Sequence, residues 1–231
     1  MEPSNAIFKE EVLPCRRPRP SYSPVTQEGY PYIAIAALLA LLAWGFLGFW
    51  AALPLVVLAL YIVSFFRNPK RSIPQGPGLI VSPADGKVLE VMDCEETRYL
   101  KTKARRVSIF MSPFNCHINR SPVAAEVAGC FYKPGKFKAA YSPKSMDHNE
   151  HHAVLLKEKG GRRWLVVQIA GFLARRIVSY VQNGNRLERG EPFGLIQFGS
   201  RADLYCPVDC EIFVKPGEKV YAGKTVLGRV A

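Results

Sequence analysis

The chain has 231 residues and a formal net charge of +12, enough for one sizeable domain plus an accessory segment. Its basic excess favours an anionic partner, and beside a long apolar run that partner is a membrane surface rather than nucleic acid. Six cysteines, at 15, 94, 116, 130, 206 and 210, match no zinc or redox spacing, which leaves reduced, mostly buried thiols in a cytosol-facing domain.

Residues 1–30 are Pro-rich, carry Arg16, Arg17 and Arg19 close together, and lack periodicity, so they read as a flexible basic tail. Residues 31–66 contain no charged side chain. As one helix they would run about 54 Å, against a hydrocarbon core of about 30 Å. Gly45, Gly48 and Pro54 offer breaks, and two helices near 32–47 and 51–66, each about 24 Å, predict a membrane-anchoring hairpin. Basic residues flank it on both sides, with Arg67, Lys70 and Arg71 following, which places both ends in the cytoplasm.

From residue 67 to 231 the texture is that of a β domain. Short runs rich in β-formers (Val107–Met111, Val154–Leu156, Trp164–Ile169, Glu211–Val214) alternate with Gly, Pro and Asn turns. A weak repeat runs through it: SPADGKV from Ser82, SPVAAEV from Ser121 and CPVDCEI from Cys206, with KPG turns at Lys133 and Lys215. The last turn opens VKPGEKVYAGKTVLGRV, like the hammerhead hairpins of lipoyl or biotinyl carrier domains. The expected fold is mainly β (α+β), a flattened β-sandwich or barrel with hammerhead-like hairpins behind an N-terminal hydrophobic helical hairpin.

Four stretches carry chemistry that a bland β domain does not require. They are SPADGKV at 82–88, FMSPFNCHINRSPV at 110–123, QIAGFLARRIV at 168–178 and GLIQFGSRADLYCP at 194–207. Together, and in this order, they resemble the phosphatidylserine decarboxylase family in its short bacterial and archaeal form, over about residues 67–231. The resemblance implies self-cleavage between Gly199 and Ser200. The Ser200 hydroxyl attacks the Gly199 carbonyl, the resulting ester breaks by β-elimination, and hydration with loss of ammonia leaves a pyruvoyl group at position 200. The residue types suit this: serine supplies both nucleophile and leaving oxygen, and glycine before it permits unusual backbone geometry.

The resemblance further implies a large chain, 1–199, that holds the anchor and stays with a small chain, 200–231. The pyruvoyl cofactor then forms a Schiff base with phosphatidylserine, releases carbon dioxide and yields phosphatidylethanolamine at the cytoplasmic face of the cell membrane. His117 and Asp85 are the candidates for an Asp–His–Ser arrangement. Longer family members have a second histidine where this chain has Arg120, so His117 serves cleavage, decarboxylation or both. Arg175 and Arg176 are candidates for the lipid phosphate, and Asn149, in the MDHNEHH stretch, for substrate contact. No metal is expected: His148, His151 and His152 crowd together without completing a ligand set. Alternatives are an ether-lipid (archaetidylserine-type) substrate, a soluble amino-acid substrate that would leave the hairpin unexplained, and a non-catalytic membrane adaptor with a carrier-like β domain. Oligomeric state stays open, although the family often pairs.

Overall fold

The computed structural model describes residues 23–135, 149–171, 176–197 and 199–230. Two helices come first, α1 (Tyr30–Leu47) and α2 (Phe49–Phe65), followed by fourteen strands. The helices reverse direction at one residue, Gly48, whose φ of +87° is open to glycine and disfavoured for other residues. Gly45 and Pro54, the other expected breaks, lie inside α1 and α2. A proline within a membrane-type helix is tolerated where neighbouring groups satisfy the freed carbonyl. The first helix also begins earlier than expected, so that Gln27–Leu47 is long and apolar enough by length and composition to cross a membrane, while Phe49–Phe65 is shorter.

The hairpin inverts the burial rule of a soluble protein. Small residues Ala36, Ala40 and Ala52 are buried, whereas Phe46 and Trp50 are more than four-fifths exposed. Small side chains let two helices approach closely, and large apolar ones facing outward suit lipid.

The hairpin's two feet are tied together. The Thr26 N–H donates to the Phe66 carbonyl at 2.9 Å and the Asn68 N–H to the Pro24 carbonyl at 2.7 Å. Tyr32 stacks on Phe66 with ring centroids 5.7 Å apart. Phe65 and Phe66 then pack with Cys116, Ile118, Val178, Tyr180 and Leu195 of the β domain.

The strands are β1 (Leu79–Val81), β2 (Gly86–Glu96), β3 (Thr102–Met111), β4 (Ile118–Arg120), β5 (Ala125–Lys133), β6 (His151–Lys157), β7 (Arg163–Ala170), β8 (Arg176–Ser179), β9 (Arg186–Leu187), β10 (Pro192–Gln197), β11 (Ser200–Cys206), β12 (Cys210–Ile212), β13 (Lys219–Val220) and β14 (Val226–Val230). They form an eight-stranded sheet, β13-β2-β3-β11-β7-β6-β5-β9, and two three-stranded sheets, β1-β14-β12 and β4-β10-β8. One apolar core, including Val107, Ile109, Trp164, Val166, Phe193, Leu204 and Leu227, spans these sheets.

The repeat seen in the sequence is a structural duplication. Ser82 and Ser121 each turn a hydroxyl onto the carbonyl two residues on, Ala84 and Val123, at 2.7 Å. The Val81 N–H donates to the Pro122 carbonyl at 3.0 Å and the Arg120 N–H to the Pro83 carbonyl at 2.9 Å, an exchange that ties the two turns together. Gly223 and Gly190, both at positive φ, donate to the Ser82 and Ser121 carbonyls in the same way. The long sheet accordingly reads alike from both ends, with a pseudo-two-fold axis between β11 and β7. The SP turns act as corners, joining a strand of a small sheet to a strand of the large one (β1 to β2, β4 to β5). The third copy, at Cys206, is a different element, the turn from β11 to β12.

In chain order one half (β4–β10) is inserted into the other (β1–β3 with β11–β14). The chain passes between halves twice, at 112–117 and between β10 and β11, and the sequence-predicted His117 and Gly199–Ser200 lie at or beside these crossovers.

A Cβ on Gly86, where the first SP corner enters β2, would overlap the Phe110 carbonyl of β3. Gly86→Ala is expected to destabilise the domain by about 1–3 kcal/mol through forced backbone shift, measured by denaturant unfolding of a Ser200→Ala chain.

Candidate active site

Ser200 opens β11, which is hydrogen-bonded along both edges and buried at all seven residues. It lies opposite Met111 of β3 and Ala170 of β7. Its hydroxyl donates to the Met111 thioether at 3.4 Å, a weak acceptor. Gly199 precedes it at φ +59°, in the left-handed region. An added Cβ there would have space, meeting only Pro113 Cγ at 4.0 Å, so glycine is favoured by conformation and not by crowding. The Gly199 carbonyl oxygen accepts the Gly171 N–H at 3.1 Å. The bond between Gly199 and Ser200 therefore sits between a residue locked in a ladder and one twisted out of it, with its carbonyl held by a main-chain donor.

His117 is fully buried just before β4. Its Nδ1 lies 3.0 Å from the Asn115 carbonyl, which can only accept, so Nδ1 carries the proton. Nε2 is then the free lone-pair end, and it finds no hydrogen-bond partner among the described residues. Burial pushes the ring down to about 4, against a smaller upward pull from the Asn115 carbonyl, and nearby Arg67 pushes it further down. The ring is a neutral base at ordinary pH.

Asp85 lies elsewhere than a serine-hydrolase triad would put it. Its carboxylate accepts Arg71 Nη2 at 2.8 and 3.0 Å and the Ala222 N–H at 2.7 Å. No hydrogen bond joins it to His117, nor His117 to Ser200, among the described residues. Arg71 belongs to the linker after the hairpin, so the buried pair fastens that linker to the first SP corner. Arg120 does the same on the second side, donating to Asn68 Oδ1, the Pro69 carbonyl and the Gly190 carbonyl. It is thus a clamp between the linker and the second SP corner.

Of the headgroup candidates, Arg176 is exposed at the start of β8, opposite Gln197 and two residues from Gly199. Arg175 and His148 lie outside the described residues. Asn149 is fully buried, and its amide donates to the Ala170 carbonyl at 2.8 Å, so it braces the strand opposite Ser200. His151 points to the other face of the sheet, with Nε2 3.1 Å from the Tyr99 hydroxyl. Among the described residues no group of three His, Cys, Asp or Glu side chains is placed to hold a metal.

A buried polar chain, not anticipated from sequence, runs behind the serine. Asn119 Nδ2 faces the Pro83 carbonyl at 3.3 Å and Met111 Sδ at 3.7 Å. A carbonyl fixes the amide's polarity, so Asn119 Oδ1 accepts from Gln168 Nε2 at 2.8 Å. Gln168 Oε1 in turn faces His152 Nδ1 at 2.9 Å, which must be protonated, leaving Nε2 as a lone pair. Pairing registers put Ser200, Met111, Gln168 and His152 on the same face of the sheet. Gly194 makes room for this chain, since a Cβ there would lie 2.8 Å from Gln168 Nε2. QIAG and HINR held the clue, because two amides alternate with apolar residues in otherwise core-forming strands.

An apolar hairpin docked on a duplicated β domain, with a buried serine after a left-handed glycine at the crossover, defines the class: a membrane-associated β protein with an unusual peptide bond at its centre. The family model described as phosphatidylserine decarboxylase matches residues 58–228. A phosphatidylserine decarboxylase proenzyme of Symbiobacterium thermophilum is 48% identical over 206 residues, covering 89% of this chain and 95% of its own. Proenzymes of the same name from Geotalea uraniireducens and Nitrosomonas europaea are 46% and 44% identical, covering 89% and 88% of this chain and 96% and 94% of their own. The chain belongs to the phosphatidylserine decarboxylase family.

Burial lowers His152 to about 4, against a smaller upward pull from Gln168. The unfolded histidine, near 6.5, takes up a proton that the folded one refuses, so this contribution to stability is full above about pH 6.5 and falls as pH drops toward about 4. The total loss is on the order of 3 kcal/mol. His152→Asn keeps a donor for Gln168 and removes the titration. Its stability difference from the parent, followed by urea unfolding of Ser200→Ala chains, is expected to change in its favour across that window.

Proposed function

We propose that this chain is the proenzyme of a phosphatidylserine decarboxylase, which breaks its own Gly199–Ser200 bond and turns Ser200 into a pyruvoyl group. The observation that carries the reading is the state of that bond. Gly199 is already left-handed, its carbonyl oxygen already receives the Gly171 N–H, and among the described residues the Ser200 hydroxyl has only a thioether as acceptor. When the serine oxygen adds to the carbonyl carbon, charge develops on the oxygen that Gly171 holds, as in an oxyanion hole.

His117 is the base in this reading. Its Nε2 is neutral, buried and without a hydrogen-bond partner among the described residues, and His117 lies on the crossover other than the scissile one. The Ile196 N–H donates to the His117 carbonyl at 3.3 Å, which places that residue beside the strand leading to Gly199. Asp85 acts through Arg71 and Ala222, by fixing the linker and the corner on which the site is built.

The surroundings of Ser200 suit the pyruvoyl group. Its neighbours across the sheet, Ala170 and Met111, are uncharged, and one is small. Such a group supplies an electron-accepting carbonyl for loss of carbon dioxide from an amino acid. His117 is available to return the proton to carbon, and Arg176 to meet the phosphodiester.

The products stay together because β11, β13 and β14 of the 200–231 chain pair with β3 and β7, β2 and β1 of the 1–199 chain. The substrate's acyl chains explain the hairpin: exposing them to water would cost about 0.8 kcal/mol per CH₂, so the protein works at the bilayer. The basic flanks put it on the cytoplasmic face and favour anionic phosphatidylserine.

The test is expression and detergent purification of four proteins, with carbon dioxide release measured from phosphatidylserine in mixed micelles. The parent should split in two and be active. Ser200→Ala should stay whole and inactive. His117→Ala should split about 10²–10⁴-fold more slowly, and Asp85→Ala should split more slowly than the parent. Activity in an unbroken Ser200→Ala chain would refute the reading.

A further inference from the structure

The β domain receives the hairpin at one place, and that place is the wall of the site. Phe65, the last residue of α2, lies face to face with the His117 imidazole, ring centroids 4.3 Å apart and planes 28° apart. Both rings are buried, Phe65 to within 1% of full burial. The Tyr61 hydroxyl, one turn earlier on α2, donates to the Pro113 carbonyl at 3.3 Å, and Pro113 Cγ would lie 4.0 Å from a Cβ on Gly199. Arg67, just past the helix, donates to the Phe114 carbonyl at 3.0 Å and accepts through its own carbonyl from the Cys116 thiol at 3.3 Å. Residues 113–117, which form the first crossover, are thus held from the hairpin side at four points.

We propose that Phe65 is a positioning residue for self-cleavage, so that the membrane hairpin is a working part of the active site and not only a tether. The inference rests on the reading of His117 as the base. Among the contacts that hold the buried imidazole are the Nδ1–H bond to the Asn115 carbonyl and the Phe65 ring on its face. The hydrogen bond sets the tautomer but leaves the ring free to swing about it. The stacked ring removes that freedom and keeps water from the face, which aims Nε2 in one direction and holds it neutral. Arg67 is the charge acting on His117 among the described residues, and Cys116 beside it keeps its thiol because burial raises it. Asp85 and Arg71 act on Cys116 and make no contact with the imidazole. Desolvation, to which Phe65 contributes, is therefore the main influence on His117.

Removing the ring should let the imidazole return toward its ordinary value near 6.5. The sign follows: a base must be neutral, the parent ring is neutral down to about pH 5, and the variant's ring would begin to protonate near about pH 7. Freshly translated parent and Phe65→Ala chains, in micelles, are compared for the rate of appearance of the two fragments. Between about pH 8 and about pH 5.5 the ratio of variant to parent rate is expected to fall about tenfold.

Phe65→Leu, which keeps an apolar cover and secures folding, should give a smaller fall in the same direction. The chain has four histidines, so the ring of His117 can also be titrated directly by NMR in uncleaved Ser200→Ala, with and without Phe65→Leu, assigned through His117→Gln. Identical pH profiles and identical ring titrations for parent and variants, in a protein where His117→Ala blocks cleavage, would overturn the role of Phe65 alone. Normal cleavage by His117→Ala would instead remove the base itself, and this inference with it.

Discussion

Everything at the centre of this protein depends on where β11 begins. Along β11, from Ser200 to Cys206, the backbone is held by strands on both edges and every residue is buried, so residue 200 cannot move without unzipping the middle of the sheet. One residue earlier the backbone is left-handed and its carbonyl is turned to the N–H of Gly171, the residue that follows β7. The change of conformation is concentrated in one peptide, and that peptide's carbonyl oxygen is held by a main-chain donor.

The duplication explains how one peptide comes to carry this. Two similar halves meet between β11 and β7, and because one half is inserted into the other, the chain must cross between them twice. One crossover carries His117 and the other carries Gly199. A cut at the second crossover leaves the sheet intact, since the shorter product contributes strands flanked by strands of the longer one. On the opposite face of β11, Arg201 and Asp203 of the same strand form a buried pair at 2.6 Å. Unpairing such a strand would expose ladder groups that have no other partners.

Much of this was legible in the sequence because chemistry restricts residue type. A Gly–Ser pair, the histidine of HINR and an uncharged run of thirty-odd positions each narrow the choices, and two of the three copies of the repeat mark the corners, while the third, at Cys206, is the turn from β11 to β12. What stayed hidden is what depends on partners distant in the chain. Asp85 looked like a triad acid, yet its carboxylate is taken by Arg71, a residue that reads as one more basic flank of a membrane segment. Phe65 is one apolar residue among many in α2, and only docking of the hairpin sets it against His117. Asn149 was a candidate for substrate contact, and its amide is buried against the Ala170 carbonyl. Gln168 and His152 acquire their meaning from strand register, which alternation alone does not fix across four strands. The hairpin turn fell on Gly48 and not on Pro54, because a positive φ reverses the chain in one residue while a proline inside an apolar helix can be accommodated.

The most direct measurement is the intact mass of the mature parent protein. The account predicts two polypeptides separated between Gly199 and Ser200, the shorter one lighter by one ammonia than simple hydrolysis would leave it. A single full-length chain with an unmodified serine at position 200, in a preparation that releases carbon dioxide from phosphatidylserine, would contradict it.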